Sequence, residues 1–267
     1  ETFPARLERG RSRPLAERFP YFPEQAAAAL AGVGTLILAG AREPVAFFGY
    51  AGRPSVLRPE GGASLCLARP DEDAAGALEA LADSLGAARG AGTPDAAAPS
   101  APQGPLDPVR LGLALAAVQP ENAIVVDEGL TSAGPWFAVA QGAAPHDVLA
   151  LTGGAIGAGL PVATGAAIAC PDRPVIALQA DGSGLYTLQS LWTQAREGLH
   201  VVTLLCANRS YRILQVELAR AGVAEPGPAA RAFTDLSGPA PDWVSLARGF
   251  GVPGTRVETA EALADAL

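Results

Sequence analysis

The sequence has no lysine, no methionine, only two histidines and only three cysteines, and these shortages exclude several kinds of site. Without lysine there can be no Walker A loop, because the lysine of that loop holds the nucleotide phosphates. His146 and His200 belong to no zinc-type spacing, and the sequence contains no GxSxG nucleophile motif. Cys66, Cys170 and Cys206 lie in apolar stretches without CxxC spacing, which is typical of buried, reduced thiols in a cytoplasmic protein.

Charge and hydropathy argue against two classes of partner. The formal net charge is −8, and the 19 basic residues, all arginine, form no cluster, so we do not expect a nucleic-acid partner. No apolar run approaches the roughly 20 residues of a membrane span, and no signal peptide is visible, so we do not expect a membrane partner. The chain does not begin with methionine and ends inside a helical pattern at Leu267, which predicts that it is part of a longer protein.

The distribution of apolar runs predicts an α/β protein with two domains, of which the first is incomplete. Residues 1–85 alternate between strand-like and helix-like segments, but they offer too few strands for a complete three-layer domain. Residues 86–106 consist mainly of Ala, Gly, Pro and Ser, which predicts an interdomain linker. Residues 107–267 contain continuous apolar strands separated by helices, which predicts a parallel sheet with helices on both faces.

Polar or glycine-rich turns follow several predicted strands of the second domain. In parallel sheets ligands bind beyond the carboxyl ends of the strands, so these turns are expected to line one site. The turns are Asp127-Glu128-Gly129, Thr152-Gly153-Gly154, Asp181-Gly182-Ser183 and Asn208-Arg209-Ser210. Their occurrence on one edge of the sheet indicates a binding site more strongly than any single turn does.

Asp181 and Asn208 close two neighbouring strands and predict a site for a divalent metal. Alone, Asp181 is more often a helix N-cap and Asn208 more often a turn residue. Together they supply a carboxylate and an amide oxygen, which magnesium or calcium prefers, and the Ser210 carbonyl could be a third ligand. Because magnesium completes its coordination with water and phosphate oxygens, the pair predicts a metal-bound diphosphate.

Two other turns are open to both a structural and a functional interpretation. The glycines between Gly153 and Gly159 do not satisfy GxGxxG in register, and close packing of a helix on the sheet explains some of them. Ile156 is a bulky residue flanked by small ones, which packing does not explain and which would suit a ligand draped over it. Gly129 and Thr131 begin a helix, where amides and a hydroxyl favour phosphate, but such a helix start is equally often structural.

At these residues the chain resembles the superfamily of thiamine-diphosphate-dependent 2-oxo-acid decarboxylases and acetolactate synthases. The family motif is Gly-Asp-Gly, followed after a helix by Asn-Asn. Here the motif stands as Ala180-Asp181-Gly182-Ser183 and Ala207-Asn208-Arg209-Ser210-Tyr211, with alanine in place of the first Gly and the first Asn. Segments 20–25 and 44–50 resemble the acetolactate synthase large subunit in particular. The resemblance covers nearly the whole chain and implies the thiamine-diphosphate-binding fold.

The resemblance also implies roles for individual residues. The magnesium ligands would be Asp181, Asn208 and the carbonyl of Ser210. The diphosphate would be bound by Gly129, Thr131, Gly182 and Ser183. The carbonyl of Gly154 would accept a hydrogen bond from the aminopyrimidine amine, and Ile156 would hold the cofactor in its bent conformation.

The implied function is decarboxylation of a 2-oxo acid such as pyruvate, followed by carboligation, in a homo-oligomer (a dimer or tetramer) that requires thiamine diphosphate and Mg²⁺. This chain would supply the half of the site that binds magnesium and diphosphate. The glutamate that activates the cofactor would lie in a pyrimidine-binding domain outside this sequence, so the chain alone is expected to be inactive.

Two alternatives remain open. The first is a decarboxylase of the benzoylformate decarboxylase type that does not ligate. Phe48 argues against it, because some of those enzymes place a catalytic histidine there. The second is a non-catalytic, cofactor-binding fragment that depends on a separate pyrimidine-binding domain.

Overall fold

The computed structural model of the chain describes residues 2–58, 61–87 and 96–267. The chain divides into two compact units, the first comprising Glu1–Phe3 and Glu17–Gly92, and the second comprising Pro4–Ala16 and Thr93–Leu267. Across the described ranges, no helix is both long enough and apolar enough to cross a membrane.

Strands and helices alternate along most of the chain. The strands are β1 (Arg6–Arg9), β2 (Thr35–Ala39), β3 (Ala63–Ala68), β4 (Ile124–Glu128), β5 (His146–Ala150), β6 (Val175–Ala180) and β7 (Val201–Cys206). The helices are α1 (Pro23–Leu30), α2 (Ala74–Ser84), α3 (Pro108–Val118), α4 (Gly134–Val139), α5 (Gly159–Ala169), α6 (Asp181–Gly184), α7 (Ser190–Arg196), α8 (Arg212–Arg220), α9 (Pro228–Thr234), α10 (Trp243–Gly249) and α11 (Ala260–Ala266). Short 3-10 segments lie at Leu130–Ser132, Ala140–Gly142 and Thr152–Gly154.

The first unit contains a pair of parallel strands, β2 and β3, in which Ile37 lies opposite Leu65. Helix α2 begins after Asp73, whose carboxylate caps it by accepting a hydrogen bond from the Gly76 amide at 2.9 Å. Cys66 on β3 is exposed, so the prediction of buried cysteines is wrong for this residue, and Cys170 and Cys206 are half-buried. An apolar flanking sequence does not bury a side chain when its face of the sheet is not covered.

The second unit contains the sheet that positions the candidate site. Its strand order is β1-β5-β4-β6-β7, in which β5, β4, β6 and β7 run parallel and β1 is antiparallel to β5. The α/β prediction with a mostly parallel sheet is therefore confirmed. Strand β1 was not predicted, because the sequence Arg-Leu-Glu-Arg has a single apolar residue. As a result, residues 4–16 belong to the second compact unit and not to the predicted first domain.

The predicted linker, residues 86–106, lies partly outside the described residues, which omit 88–95. Its final part is fixed to the second unit. The Leu106 amide donates to the Glu258 carbonyl at 2.8 Å, and the Gly104 amide donates to the Glu261 carboxylate at 3.0 Å.

Successive residues of a strand point to opposite faces of the sheet. In the second sheet apolar residues lie on both faces, and helices cover both of them. Val125 lies in one apolar cluster with Leu115 of α3 and Trp136 of α4. Its neighbour Val126 lies in another cluster with Leu160 of α5. Burial of each such large apolar side chain contributes about 1.5–3 kcal/mol to the free energy of unfolding.

The connectivity of the sheet determines where a ligand can bind. The chain leaves β4 towards β5 on one side, crosses back to β6 on the other side of β4, and continues outward to β7. The connections that follow β4 and β6 therefore run in opposite directions. A crevice forms at such a point, outside the carboxyl ends of the two central strands.

Candidate cofactor and metal site

The parallel register of β4, β5, β6 and β7 places all four predicted turns at the carboxyl edge of the sheet. Side-chain hydrogen bonds connect these turns in pairs. Asp181, after β6, accepts from the backbone of the turn after β7. Glu128, at the end of β4, accepts from the backbone of the loop after β5. The turns that are separate in the sequence thus form one connected edge.

Asp181 is the central acidic residue of this edge. Its side chain is buried, with 2% of the residue exposed. One carboxylate oxygen accepts from the Gly182 amide at 2.8 Å, and the other accepts from the Arg209 amide at 2.6 Å. Burial raises the pKa of Asp181, and these backbone N–H groups only partly oppose that increase. The ionised carboxylate therefore lies in an environment that disfavours its charge.

The oxygen atoms of Asp181 and of the turn after β7 are chemically suited to a magnesium ion. Among the described residues, no arginine or histidine forms an ion pair with Asp181. Each carboxylate oxygen has a second lone pair, which the amide hydrogen bonds leave available to a cation. Asn208 is exposed, and its side-chain oxygen accepts from the Ser210 amide at 2.9 Å, so it too has a free lone pair. Carboxylate, amide and carbonyl oxygens are hard ligands of the kind that Mg²⁺ takes.

The turn after β7 is held in place by hydrogen bonds to Thr234 and Leu236. The Arg209 carbonyl accepts from the Leu236 amide at 2.9 Å, and the Ser210 hydroxyl donates to the Thr234 carbonyl at 3.1 Å. The Tyr211 amide donates to the same Thr234 carbonyl at 2.9 Å. These contacts fix the backbone that carries Asn208 and the Ser210 carbonyl.

Gly182 and Ser183 lie in α6. The space beside the Gly182 Cα atom and the hydroxyl of Ser183 are both taken up by contacts with other residues of the protein. The ring of Tyr211 lies against Gly182 so closely that a Cβ atom there would overlap it. The Ser183 hydroxyl accepts from the Gln179 side chain at 2.7 Å and donates to the Ala180 carbonyl at 3.2 Å. A diphosphate would therefore meet the backbone N–H of Ser183 and not its hydroxyl. Tyr211 was not among the predicted site residues, although it is the last residue of the quoted motif segment.

Gly129 and Thr131 lie in the turn after β4. The Gly129 amide donates to the buried Asp127 carboxylate at 3.2 Å, and a Cβ atom at Gly129 would overlap Ala133. Thr131 is exposed in the 3-10 segment Leu130–Ser132. Its hydroxyl is accessible to a ligand, whereas the Gly129 amide is shared with Asp127.

The loop after β5 carries the remaining predicted residues. Gly153 and Gly154 both have φ of 67°, a conformation that favours glycine, and Ile156 is half-buried. The buried Glu128 accepts from the Gly157 amide at 2.5 Å and from the Gly159 amide at 2.7 Å. Sequence reasoning missed Glu128, because its partners become neighbours only in the folded chain.

Cys206, at the end of β7, does not supply a nucleophile to this edge. The pKa of its thiol is raised to about 12, mainly by burial and also by the nearby carboxylates of Asp181 and Asp127, against the effect of a hydrogen bond with Ser132. The thiol is therefore neutral at physiological pH, and the thiolate is the reactive form.

Comparison with known proteins identifies relatives of this chain. Residues 136–267 match the family described as thiamine pyrophosphate enzyme, C-terminal TPP binding domain, where TPP is thiamine diphosphate. The chain is 50% identical over its full length to "Putative acetolactate synthase large subunit IlvX" of Mycobacterium tuberculosis, of which it covers 52%. It is 32% identical, over 61% of its length, to benzoylformate decarboxylase of Pseudomonas aeruginosa, of which the alignment covers 30%.

A solved structure gives a similar result for the fold. The thiamine diphosphate-dependent 4-hydroxybenzoylformate decarboxylase of Rhodococcus jostii RHA1 matches with a TM-score of 0.73 and 28% identity. The match covers 93% of this chain and 48% of that one. The prediction of a thiamine-diphosphate-binding fold is confirmed, and the chain spans about half the length of this structure and of the M. tuberculosis relative.

Proposed function

We propose that the carboxyl edge of this chain, whose residues 136–267 match the thiamine pyrophosphate enzyme C-terminal domain, binds thiamine diphosphate through Mg²⁺ for the decarboxylation of 2-oxo acids. The observation that carries this proposal is the environment of Asp181. Its carboxylate is buried, is joined to the turn after β7 by the Arg209 amide, and has no ion-pair partner among the described residues. A divalent cation would offset the charge that burial disfavours.

Each turn of the edge has a separate task in this proposal. The magnesium would be held by Asp181, the Asn208 side chain and the Ser210 carbonyl. The diphosphate would be held by Gly129, Thr131, Gly182 and Ser183, of which Ser183 would act through its backbone N–H.

When bound, thiamine diphosphate supplies a carbon nucleophile and accepts the electron pair left by the departing carboxylate. The chain's contribution is to orient and to exclude water. The Gly154 carbonyl and the half-buried Ile156 would set the orientation of the pyrimidine end. Tyr211, packed on Gly182, restricts the access of water to the start of α6.

We further propose that the reaction ends in carboligation, as in an acetolactate synthase. The support is the 50% identity, over the whole chain, to a protein with that name. Phe48 supports the same conclusion. It packs edge-on against Phe47 at 5.0 Å between ring centroids and near Tyr21 at 6.1 Å, and its side chain has no proton to transfer.

Decarboxylation without ligation is the second candidate function. It is favoured by the similarity to benzoylformate decarboxylase and to the 4-hydroxybenzoylformate decarboxylase structure. The two candidates share the same magnesium and diphosphate residues and differ in the product released.

Two measurements test the proposal. The first is calorimetric titration of the chain with thiamine diphosphate, with and without Mg²⁺. We expect binding only with Mg²⁺, and binding that does not depend on a divalent cation would contradict the proposed site. The second is product analysis of the native protein, isolated from its own cells and supplied with pyruvate. Acetolactate is the expected product, whereas acetaldehyde alone would favour the second candidate.

A further inference from the structure

Glu128 is a buried carboxylate at the carboxyl edge to which neither the family match nor the predicted motif gives a role. Only 1% of the residue is exposed. Among the described residues it has no arginine or histidine as an ion-pair partner. Its charge is stabilised by three N–H donors, which belong to Gly157, Gly159 and the Gln179 side chain at 2.5, 2.7 and 3.0 Å. Such charge-assisted hydrogen bonds are stronger than those between neutral groups.

The close approach of Glu128 explains one glycine of this loop, Gly159. A Cβ atom at Gly159 would overlap both the Glu128 carboxylate and the Gln179 side-chain oxygen. Gly157 has φ of 93°, and a Cβ atom there would overlap Tyr186. Gly159 therefore lets the backbone come within hydrogen-bond distance of the buried acid, whereas Gly157 is required by its positive φ and by the nearby Tyr186. Packing of helix α5 on the sheet alone does not require a carboxylate at this position.

The same loop carries the residues expected to contact the pyrimidine end of the cofactor. Ile156 immediately precedes Gly157, whose amide is held by Glu128 and whose carbonyl accepts from the Thr187 hydroxyl at 2.7 Å. Gly154 lies two residues before Ile156. A movement of the Gly157 backbone would therefore displace Gly154 and Ile156, and with them their expected contacts with the pyrimidine end.

We propose that Glu128 is a positioning residue. Its hydrogen bonds fix the position of the loop that carries Gly154 and Ile156, and thereby the placement of the pyrimidine end of thiamine diphosphate. This inference rests on the proposed function. Glu128 differs from Asp181, which accepts hydrogen bonds from Gly182 and Arg209, in the two turns expected to bind magnesium and diphosphate. Glu128 accepts from the loop after β5 and from the Gln179 side chain, which also donates to the Ser183 hydroxyl. Because the proposed diphosphate contact of Ser183 is its backbone N–H and not this hydroxyl, loss of Glu128 should spare the diphosphate contacts.

Glutamine is the informative replacement, because it has the same shape but carries an NH₂ group. In Glu128→Gln, one of the two oxygens becomes a donor that faces the N–H of Gly157 or Gly159. One buried backbone amide would then lack an acceptor, and the loop would have to shift to relieve that loss. Glu121→Gln, at an exposed position before β4, is the matched control for loss of a charge.

The experiment combines amide hydrogen exchange with binding of two ligands to the full chain. We expect exchange at Gly157 or Gly159 to be about tenfold faster in Glu128→Gln than in the unmodified chain or in Glu121→Gln. Affinity for Mg²⁺ with thiamine diphosphate should fall about tenfold, as for other groups that orient a ligand contact. Affinity for Mg²⁺ with inorganic pyrophosphate, which has no pyrimidine, should stay unchanged.

Two results would overturn the inference. Exchange that is unchanged at both amides would show that Glu128 does not hold the loop. An equal loss of pyrophosphate and cofactor binding would show a general effect on the fold. If Glu128→Gln does not fold, Glu128→Asp, which can still reach one of the two amides, is read by the same criteria. If the unmodified chain binds neither ligand, the proposed function fails, while the exchange comparison still tests Glu128.

Discussion

Two buried aspartates of the second unit, Asp147 and Asp181, lie at opposite edges of the same sheet. Asp147 is at the amino edge, near the start of β5, and pairs with Arg6 and Arg173, each at 2.7 Å. Asp181 is at the carboxyl edge, at the end of β6, and its hydrogen bonds come from backbone amides. The same residue type, similarly buried, is thus neutralised at one edge and left without a cationic side chain at the other.

This difference has opposite consequences for the two carboxyl groups. Burial raises the pKa of Asp147, but hydrogen bonds from Arg6 and Arg173 outweigh it and bring the pKa below its usual value. Burial brings the pKa of Asp181 above its usual value. Ionised Asp147 therefore stabilises the fold at neutral pH, whereas ionised Asp181 destabilises it until a cation binds. The amino edge thus contributes to stability, and the environment of Asp181 fits the binding role proposed for the carboxyl edge.

The largest expected effect follows from Asp181→Ala. Without the carboxylate, magnesium loses its charged ligand, so Mg²⁺-dependent affinity for thiamine diphosphate should fall about 100-fold, or about 2.7 kcal/mol. Calorimetric titration measures this change. Asp147→Asn should bind like the unmodified chain, and an equal loss of affinity in both variants would remove the distinction between the two edges.

Gly159→Ala tests how tightly the carboxyl edge is packed. The added methyl group would overlap the Glu128 and Gln179 side chains, so the free energy of unfolding should fall by about 3 kcal/mol. Gly165→Ala, on the same helix with open space around it, should leave this free energy unchanged or raise it by up to about 1 kcal/mol. Urea unfolding followed by tryptophan fluorescence reports on the second unit, because Trp136, Trp192 and Trp243 all lie there. Equal stability of the two variants would contradict the close contact at Gly159.

Asp147→Asn should destabilise the fold by about 2 kcal/mol at neutral pH, since it removes charge-assisted hydrogen bonds to two arginines. The sign of the pH dependence follows from the lowered pKa. The contribution of Asp147 is present above the pKa of the unfolded chain, about 3.9, and is lost as the pH falls through the lower folded value. The difference in unfolding free energy between Asp147→Asn and the unmodified chain should therefore shrink in strong acid. A difference that stays constant down to pH 2 would contradict the ion pairs.

The smallest expected effect is the contribution of His146, beside Asp147 at the amino edge, to the pH dependence of the free energy of unfolding. Burial, and secondarily Arg9, lowers its pKa, and its Nε2 has no hydrogen-bond partner among the described residues. Below about pH 6.5 the unfolded chain binds a proton that folded His146 does not. The free energy of unfolding should therefore decrease as the pH is lowered below this value, by at most about 1.4 kcal/mol per pH unit. His146→Gln should lose this dependence, whereas His200→Gln, at an exposed position, should retain it.

The sequence was sufficient to predict the elements that depend on local pattern. The strands β4, β6 and β7 are continuous apolar runs that end in polar turns, and their parallel pairing places Asp181 beside the turn of Asn208. These features depend on burial and on chain direction, which the order of residues records.

Other features depend on contacts between distant residues, and the sequence alone did not predict them. Strand β1 has no apolar pattern and is held by pairing with β5, at Arg6–Arg9. Glu128 was predicted only as part of the turn after β4, because Gly157 and Gly159, 29 and 31 positions later, become its neighbours only after β5 pairs with β4. Asp147 likewise gains Arg6 and Arg173 from separate strands and loops.

The most direct test of the contrast between the two edges is the pKa of Asp181, measured by NMR titration of its carboxyl carbon. The titration is done first without ligand and then with Mg²⁺ and thiamine diphosphate. The account predicts a pKa above the usual value, about 3.9, without ligand and a marked decrease once the cation is bound. An Asp181 pKa that does not change when magnesium and the cofactor are added would contradict the proposed site.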